Sequence, residues 1–257
     1  MRNTTASLAV RLKALGMDNS ESSGLAHLME LFTTLPVPPD SFGLYPNYTV
    51  LKNELVKAIQ QDDDPFLLEE KFLDLYCHVH CNEAPYSPSE RAVVNDTGGY
   101  WCHAGGLSPI LKAGPFLHKD SVSIDLGAGN GLQGLLLQTL YPHKLTIQVE
   151  ISRKLVLAGR DLQEWLGIPD DRVDWQVKDL FEFSLPEVDF IYLYRPLKPR
   201  DKGMDYYKRL ARTIKCAGRD VTIFSIADCL YDFLDFPCQV LYDDGHLKCY
   251  RKKSTPG

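Results

Sequence analysis

The segment Val122-Ser123-Ile124-Asp125-Leu126-Gly127-Ala128-Gly129-Asn130-Gly131-Leu132 limits what this chain can fold into more than any other. Val122, Ile124 and Leu126 alternate as strand residues do. Asp125 stands beside the last of them, and glycine recurs at 127, 129 and 131 before an apolar helical pattern opens at Leu132. Glycine is needed where the backbone takes a positive φ, or where a ligand must come closer than a Cβ allows. The helix that follows aims its unpaired N–H groups into the turn. Strand, glycine turn and helix in this order predict a crossover unit of a parallel sheet, with a nucleoside-containing cofactor over the turn.

The C-terminal half continues the pattern. Strands are expected near 121–126, 145–150, 173–177, 188–193 and 220–226, with helices after Gly131, over 152–166 and over 204–215. Two last apolar runs, 238–242 and 246–250, are separated only by Asp243-Asp244-Gly245, a hairpin turn and not a crossover. One antiparallel hairpin should therefore end an otherwise parallel sheet.

Before residue 96 the chain reads as helices. Leu25, Leu28, Met29, Phe32 and Leu35 share a face that Pro36-Val37-Pro38-Pro39 interrupts, and Tyr48, Leu51, Leu55 and Ile59 line a second helix. Asp64-Pro65 supply an N-cap and a first-turn proline to a third, faced by Leu68, Phe72, Leu75 and Val79. Leu8, Leu12 and Leu15 suggest a short helix at the start. Ser87-Pro88-Ser89-Glu90 has capping-box spacing, and Ser108-Pro109 reads as the N-cap and first position of a helix ending near Gly114. The expected organisation is a helical extension over 1–95, a glycine-rich loop and lead-in helix over 96–120, and a cofactor-binding domain over 121–257.

Composition narrows the function. A net charge of −6 over 257 residues argues against a general nucleic-acid scaffold, which needs a basic field to displace counterions. The basic run between Arg195 and Lys215 reads as a solvated loop and helix face. Seven cysteines without a secretory pattern over residues 1–16, and no apolar run long enough to span a bilayer, predict a soluble cytoplasmic protein with reduced thiols and no membrane contact. Cys77-His78-Val79-His80-Cys81 invites a metal, completed by Cys102 or His103. Adjacent side chains diverge on a helix, however, and no Cys-x-x-Cys pair is present, so buried thiols are expected there and no metal.

The run Asp125-Leu126-Gly127-Ala128-Gly129-Asn130-Gly131 resembles the first motif of the class I S-adenosylmethionine-dependent methyltransferases, an acid followed by Gly-x-Gly-x-Gly. The similarity covers residues 105 to 252, with further motifs in that family's order. It implies a Rossmann-like α/β fold: a seven-stranded methyltransferase sheet of order 3-2-1-4-5-7-6, last strand antiparallel, here with an N-terminal helical extension. It implies S-adenosylmethionine as cofactor. It also implies that Asp125 and the backbone around Gly127 handle the methionine end, which puts Gly127, Ala128, Gly129 and Gly131 in the cofactor site. The residues themselves agree further along. Glu150 ends the second strand, where a carboxylate can accept from both ribose hydroxyls. Asp179, just past strand three, would take the adenine amino group while Leu180 or Ile151 packs on the ring.

Two other functions compete. Gly129-Asn130-Gly131-Leu132-Gln133-Gly134 also satisfies Gly-x-Gly-x-x-Gly, and Glu150 suits a nicotinamide ribose, so a dinucleotide-dependent oxidoreductase is one alternative. Asp125 and the terminal hairpin favour the methyltransferase. A non-catalytic module that only binds S-adenosylmethionine is the other, and it predicts a filled crevice beside Tyr194.

For methyl transfer the expected crevice lies at the end of strand four, Tyr192-Leu193-Tyr194-Arg195-Pro196-Leu197. This is not the Asn/Asp-Pro-Pro-Tyr motif used on amino groups of bases or glutamine, so a small molecule or a protein side chain is favoured as acceptor over nucleic acid. Tyr194 and Arg195 are the candidate catalytic residues: Tyr194 as a pocket wall or donor, Arg195 as a clamp for an acidic acceptor or one half of a structural ion pair. His103, in the glycine-rich loop Thr97 to Gly106, is the candidate general base. The extension is expected to cap the carboxyl end of the sheet and supply acceptor specificity.

Overall fold

The computed structural model describes residues 4–80, 86–100 and 106–254. The helices α1 (Thr4–Leu12), α2 (Asn19–Thr34), α3 (Tyr48–Gln60), α4 (Pro65–His80), α5 (Pro88–Thr97) and α6 (Ser108–Lys112) come first. After them run β1 (Val122–Leu126), α7 (Leu132–Leu140), β2 (Leu145–Glu150), α8 (Arg153–Trp165), β3 (Val173–Val177), β4 (Phe190–Tyr194), α9 (Asp201–Cys216), β5 (Val221–Ile226), β6 (Gln239–Asp243) and β7 (Leu247–Lys252). The strands form one seven-stranded sheet of order β3-β2-β1-β4-β5-β7-β6. Its first five strands are parallel, and β7 runs antiparallel to both β5 and β6. The hairpin turn carries Gly245 at φ +85°.

The N-terminal helices have a physical reason to lie where they do. α7 is apolar nearly all round, and Leu132, Leu135, Leu136 and Leu137 are all buried. A helix of that kind must be covered on both sides. The sheet covers one side, while α4 and α6 cover another. Phe32, Tyr48, Phe72 and Tyr76 of the extension therefore share one continuous core with Leu136, Leu162 and Tyr192. Among the described residues of the extension, His80 of α4, Tyr86, and Val94 and Thr97 of α5 bring side chains to the sheet's carboxyl end.

Local signals behave as their chemistry requires. Ser87 and Glu90 form the capping box of α5, and Asp64 accepts from the Phe66 N–H at 2.8 Å beneath Pro65. A second capping box, Asp18 with Glu21, starts α2. Ser108 is the first helical residue of α6 rather than its cap, and α6 stops at Lys112. Gly114-Pro115-Phe116 forms a 3-10 turn instead, because Pro115 has no N–H to bond the Leu111 carbonyl four residues back, which accepts from the Tyr141 hydroxyl at 2.8 Å. α9 starts at Asp201, three residues before the expected 204. Gly203 is no helix breaker there: a Cβ would overlap the Lys198 carbonyl.

At the amino ends of β1 and β2 lies a sealed polar cluster. His143 is 0% exposed; its Nε2 is 2.7 Å from the Ser123 hydroxyl and 2.9 Å from that of Thr146, and its Nδ1 is 2.7 Å from the Tyr141 carbonyl. Nδ1 donates to that carbonyl, so Nε2 is the acceptor: Ser123 donates to the Thr146 hydroxyl at 3.0 Å, and Thr146 donates to Nε2. Burial lowers the His143 pKa. This serine–histidine contact is structural, since nothing can reach it. No helix among the described residues is long and apolar enough to cross a membrane, and no group of three or more His, Cys, Asp or Glu among them could hold a metal ion.

Candidate functional site

The carboxyl ends of β1, β2, β3 and β4 open onto a crevice of about 950 Å³, its mouth included. Asp125, Gly127, Ala128, Gly129, Glu150, Ile151, Asp179, Leu180 and Tyr194 all line it. Residues far apart in sequence meet here because parallel strands deliver their C-terminal residues to one edge.

The three glycines of the turn all have positive φ, but they are glycines for different reasons. A Cβ on Gly131 would overlap the Trp175 ring, and one on Gly127 would stand 2.8 Å from the Pro196 Cβ. These two serve packing of the turn. A Cβ on Gly129 would meet nothing within 4 Å and would project into open space. Gly129 is the one of the three with a free face, and it lines the crevice, as Gly131 does not.

Two carboxylates define the electrostatics. Asp125 is 4% exposed, and its Oδ2 makes no hydrogen bond among the described residues. Burial, then the charge of Glu150, pushes its pKa up to about 8. Glu150 accepts from the Gly129 N–H at 2.9 Å and from the Ser152 N–H at 2.8 Å. Those bonds favour its ionised form, yet burial wins and its pKa stands at about 7. In register with Asp125 lie Gln148 on β2 and Tyr192 on β4. Gln148 Oε1 is unpaired among the described residues, and the Tyr192 hydroxyl, approached by Gln133, makes no hydrogen bond of ordinary geometry. So much unmet polar capacity at one buried edge is unusual, because buried polar groups are nearly always paired.

Around this edge the walls are held by specific bonds. Asp179 Oδ1 accepts from the Phe181 N–H at 2.9 Å, and Arg209 donates to the carbonyls of Phe181 (2.6 Å) and Leu180 (2.7 Å), fixing that wall. Gly99 bridges Leu197, Lys198 donates to the Gly98 carbonyl at 2.9 Å and Tyr100 to that of Pro196 at 3.3 Å. The start of the glycine-rich loop thereby becomes part of the rim. Val94 and Thr97 of α5 and Tyr86 before it line the crevice, and Glu90 ties α5 to α8 by accepting from the Arg153 N–H at 3.1 Å.

Tyr194 lines the crevice, its ring edge-on to His246 at 5.8 Å. Arg195 does not line it. With φ +34° ahead of Pro196, its guanidinium turns to the Asp228 carbonyl at 3.3 Å, beside the Cys229 thiol. A non-glycine residue held in the left-handed region is strained, and such strain gathers at functional sites. His103, Cys81 and Cys102 lie outside the described residues. Thr97 and Tyr100, from the glycine-rich loop expected to shape the acceptor pocket, line the crevice, as do His80, expected only in a cysteine–histidine run, and Gln133 and Lys178, to which the sequence assigned no site role. One signal was available: Asn130 and Gln133 are amide residues at the start of an otherwise apolar helix, and such groups must find partners. Asn130 Nδ2 donates to the Val79 carbonyl at 2.7 Å, and Gln133 Nε2 to the Tyr76 hydroxyl at 3.1 Å.

Strand order 3-2-1-4-5-7-6, an antiparallel β7 and a glycine turn after an acid on β1 define the class: this is the class I S-adenosylmethionine-dependent methyltransferase fold. No family model matches the sequence, and no curated protein matches it. Among solved structures, an RNA methyltransferase from Salinibacter ruber in complex with S-adenosyl-L-homocysteine is 19% identical over 65% of this chain and 92% of its own, at a TM-score of 0.43. TrmN from Thermus thermophilus is 16% identical over 58% of this chain and 48% of its own (TM-score 0.43). PKMT2 from Rickettsia typhi, in complex with AdoHcy, is 17% identical over 46% and 24% (TM-score 0.37). This chain spans less than half the length of the last two. Likenesses of this degree carry no inference about cofactor or acceptor.

Proposed function

We propose that the chain binds S-adenosylmethionine in this crevice and transfers its methyl group to an acceptor presented beside Tyr194. The observation that carries the reading is the convergence of Asp125, Gly129, Glu150 and Asp179 on one crevice, with the Asp125 carboxyl buried and unpaired among the described residues. Such a group costs free energy unless a ligand satisfies it. Glu150 would hold the ribose hydroxyls and Asp179 the adenine amino group. Ile151 and Leu180 would flank the base, and Asp125 would face the cationic methionine end. Bound there, the cofactor supplies an electrophilic methyl carbon on a positively charged sulfur.

Charge supports this reading over a dinucleotide. Asp125 and Glu150 already repel each other's ionisation, so a pyrophosphate beside them would be repelled as well, whereas a cation is welcome. Lys178 is the single Lys or Arg among the described lining residues. The sheet also closes with the β6–β7 hairpin, where a dehydrogenase needs a second mononucleotide-binding half. A crevice that extends to Tyr194 favours an enzyme over a binding module.

We further assign acceptor specificity to α4, α5 and the rim at Gly99 and Tyr100, and favour a small molecule or a protein side chain over nucleic acid. Cys216, Cys229, Cys238 and Cys249 form no disulfide, which suits a cytoplasmic location. Thermal-shift titration tests the cofactor: S-adenosylhomocysteine should raise the melting point with concentration and NAD should not. Equal shifts, or none with S-adenosylhomocysteine, would overturn the reading.

A further inference from the structure

Asp125 and Glu150 crowd one buried edge of the crevice. Asp125 is 4% exposed and Glu150 5%, and both line the cavity. Glu150 is tied down by the Gly129 and Ser152 N–H groups, while Asp125 Oδ2 has no partner among the described residues. On the cofactor reading above, we propose that the empty crevice carries one proton on this pair, chiefly on Asp125, and releases it when a ligand's ammonium takes its place. The pair thereby selects a ligand that brings a cation to this edge.

A buried carboxyl group must be paired or neutral, because the interior does not solvate its charge as water does. Glu150 is the better placed of the two to ionise. Backbone N–H groups point at both of its oxygens, and such bonds favour the charged form. Asp125 has burial against it first and the charge of Glu150 second, which hold its pKa at about 8 against about 7 for Glu150. Values this close belong to the pair rather than to either residue, and midway between them the pair holds one proton. Other elements face Asp125 as well. Gln148 of β2 and Tyr192 of β4 are in register with it, and its charge reaches Tyr76 of α4. His80, Gln133 and Tyr194 line the same crevice, with Lys178 and Asp179 past β3. Burial raises the pKa of Tyr76 and of Tyr192, so both hydroxyls stay neutral. Glu90 of α5 acts on Glu150, raising its pKa further. Of all these groups, Glu150 is the one whose charge moves the Asp125 carboxyl.

An arriving ammonium reverses the balance. A cation within hydrogen-bond reach favours the ionised carboxylate, and the bond between them is charge-assisted. The O–H bond of Asp125 breaks, its proton passes to solvent, and the carboxylate left behind pairs with the ammonium. Charge is conserved: a neutral carboxyl group and a cation go in, an ion pair and a free proton come out. A neutral ligand has no cation to exchange. An anion would stand beside the ionised Glu150 and meet repulsion.

The test is calorimetry on the full chain at about pH 7.5, midway between the two values. S-adenosylhomocysteine is titrated in phosphate and in Tris, buffers whose ionisation heats differ widely. Its ammonium stays protonated there because its own carboxylate stands beside it. The difference in heat should correspond to about one proton released per ligand bound. Adenosine has the nucleoside and no ammonium, and should release about a quarter of a proton, the share that Glu150 holds with a pKa of about 7. Asp125→Asn should bind S-adenosylhomocysteine more weakly and release the same quarter. If that variant does not fold, adenosine on the native chain carries the comparison. Equal heats in the two buffers, with S-adenosylhomocysteine bound, overturn the proposal while the cofactor reading stands. A full proton released by adenosine, or by Asp125→Asn, overturns it too, since Asp125 and the ammonium would not be the exchanging partners. Absence of S-adenosylhomocysteine binding sinks both.

Discussion

β1 and β2 carry a buried polar cluster at each end, and the two are opposites. At the amino ends, Ser123, Thr146 and His143 bond to one another, and the histidine backbone exchanges bonds with the Gln138 amide at 3.1 and 3.2 Å. At the carboxyl ends, Asp125 and Gln148 each leave a buried oxygen without a partner among the described residues. The side chains of both clusters are buried. What separates structure from function here is whether the polar groups satisfy one another, a more useful criterion than residue type. A Ser–His contact suggests chemistry and does none, while Asp125 and Glu150, with no cation bonded to either among the described residues, line the crevice we propose as the ligand site.

The sharpest way to break this contrast is to damage the satisfied end. His143→Ala strands two buried hydroxyls and opens a cavity, and should cost about 3 kcal/mol in urea unfolding without changing S-adenosylhomocysteine affinity in the folded fraction. A loss of affinity would mean that the ends are coupled. Asp125→Asn should do the reverse, weakening S-adenosylhomocysteine more than tenfold by calorimetry, about 1.4 kcal/mol, with stability near pH 8 maintained or raised.

Next in size is the pH dependence, which takes opposite signs at the two ends. The folded-state pKa of His143 is lowered, so its share of stability is present above about 6.5 and is lost as pH falls below that value. Asp125 and Glu150 have folded-state values raised to about 8 and about 7, so the native state holds protons that the unfolded chain has released. Their share is present below the ordinary carboxylate range and is lost as pH rises through those values. Chemical denaturation should therefore show this share declining from about pH 4 to about pH 8 and level above it, and Asp125→Asn should make that decline shallower, leaving the part due to Glu150. Tyr192→Phe comes last, since it deletes a hydroxyl that gains little: unfolding free energy should stay within about 1 kcal/mol of the parent. A larger loss would give that hydroxyl a hidden partner.

Much of the frame was legible because it rests on local rules. The glycine turn, the alternating strands, the Asp64-Pro65 start of α4 and the Asp243-Asp244-Gly245 hairpin each follow from neighbours within a few residues. Asp125, Glu150 and Asp179 could be placed together because parallel strands present their ends on one side. Arg195 could not be aimed from its position, since its direction depends on a left-handed backbone ahead of Pro196 and on the Asp228 carbonyl beyond β5. His80 was read as part of a cysteine–histidine run. Its place at the crevice exists only because α4 docks on α7.

Sequence alone settled which residues stand at strand ends and where the backbone needs glycine, because strand periodicity and left-handed turns are decided by covalent neighbours. Only the tertiary structure decided that Gly131 serves the Trp175 ring while Gly129 faces open space, and which end of the sheet keeps its polar groups unsatisfied. Burial and hydrogen-bond pairing belong to contacts between distant segments, and those contacts exist only once the helices have closed over the sheet.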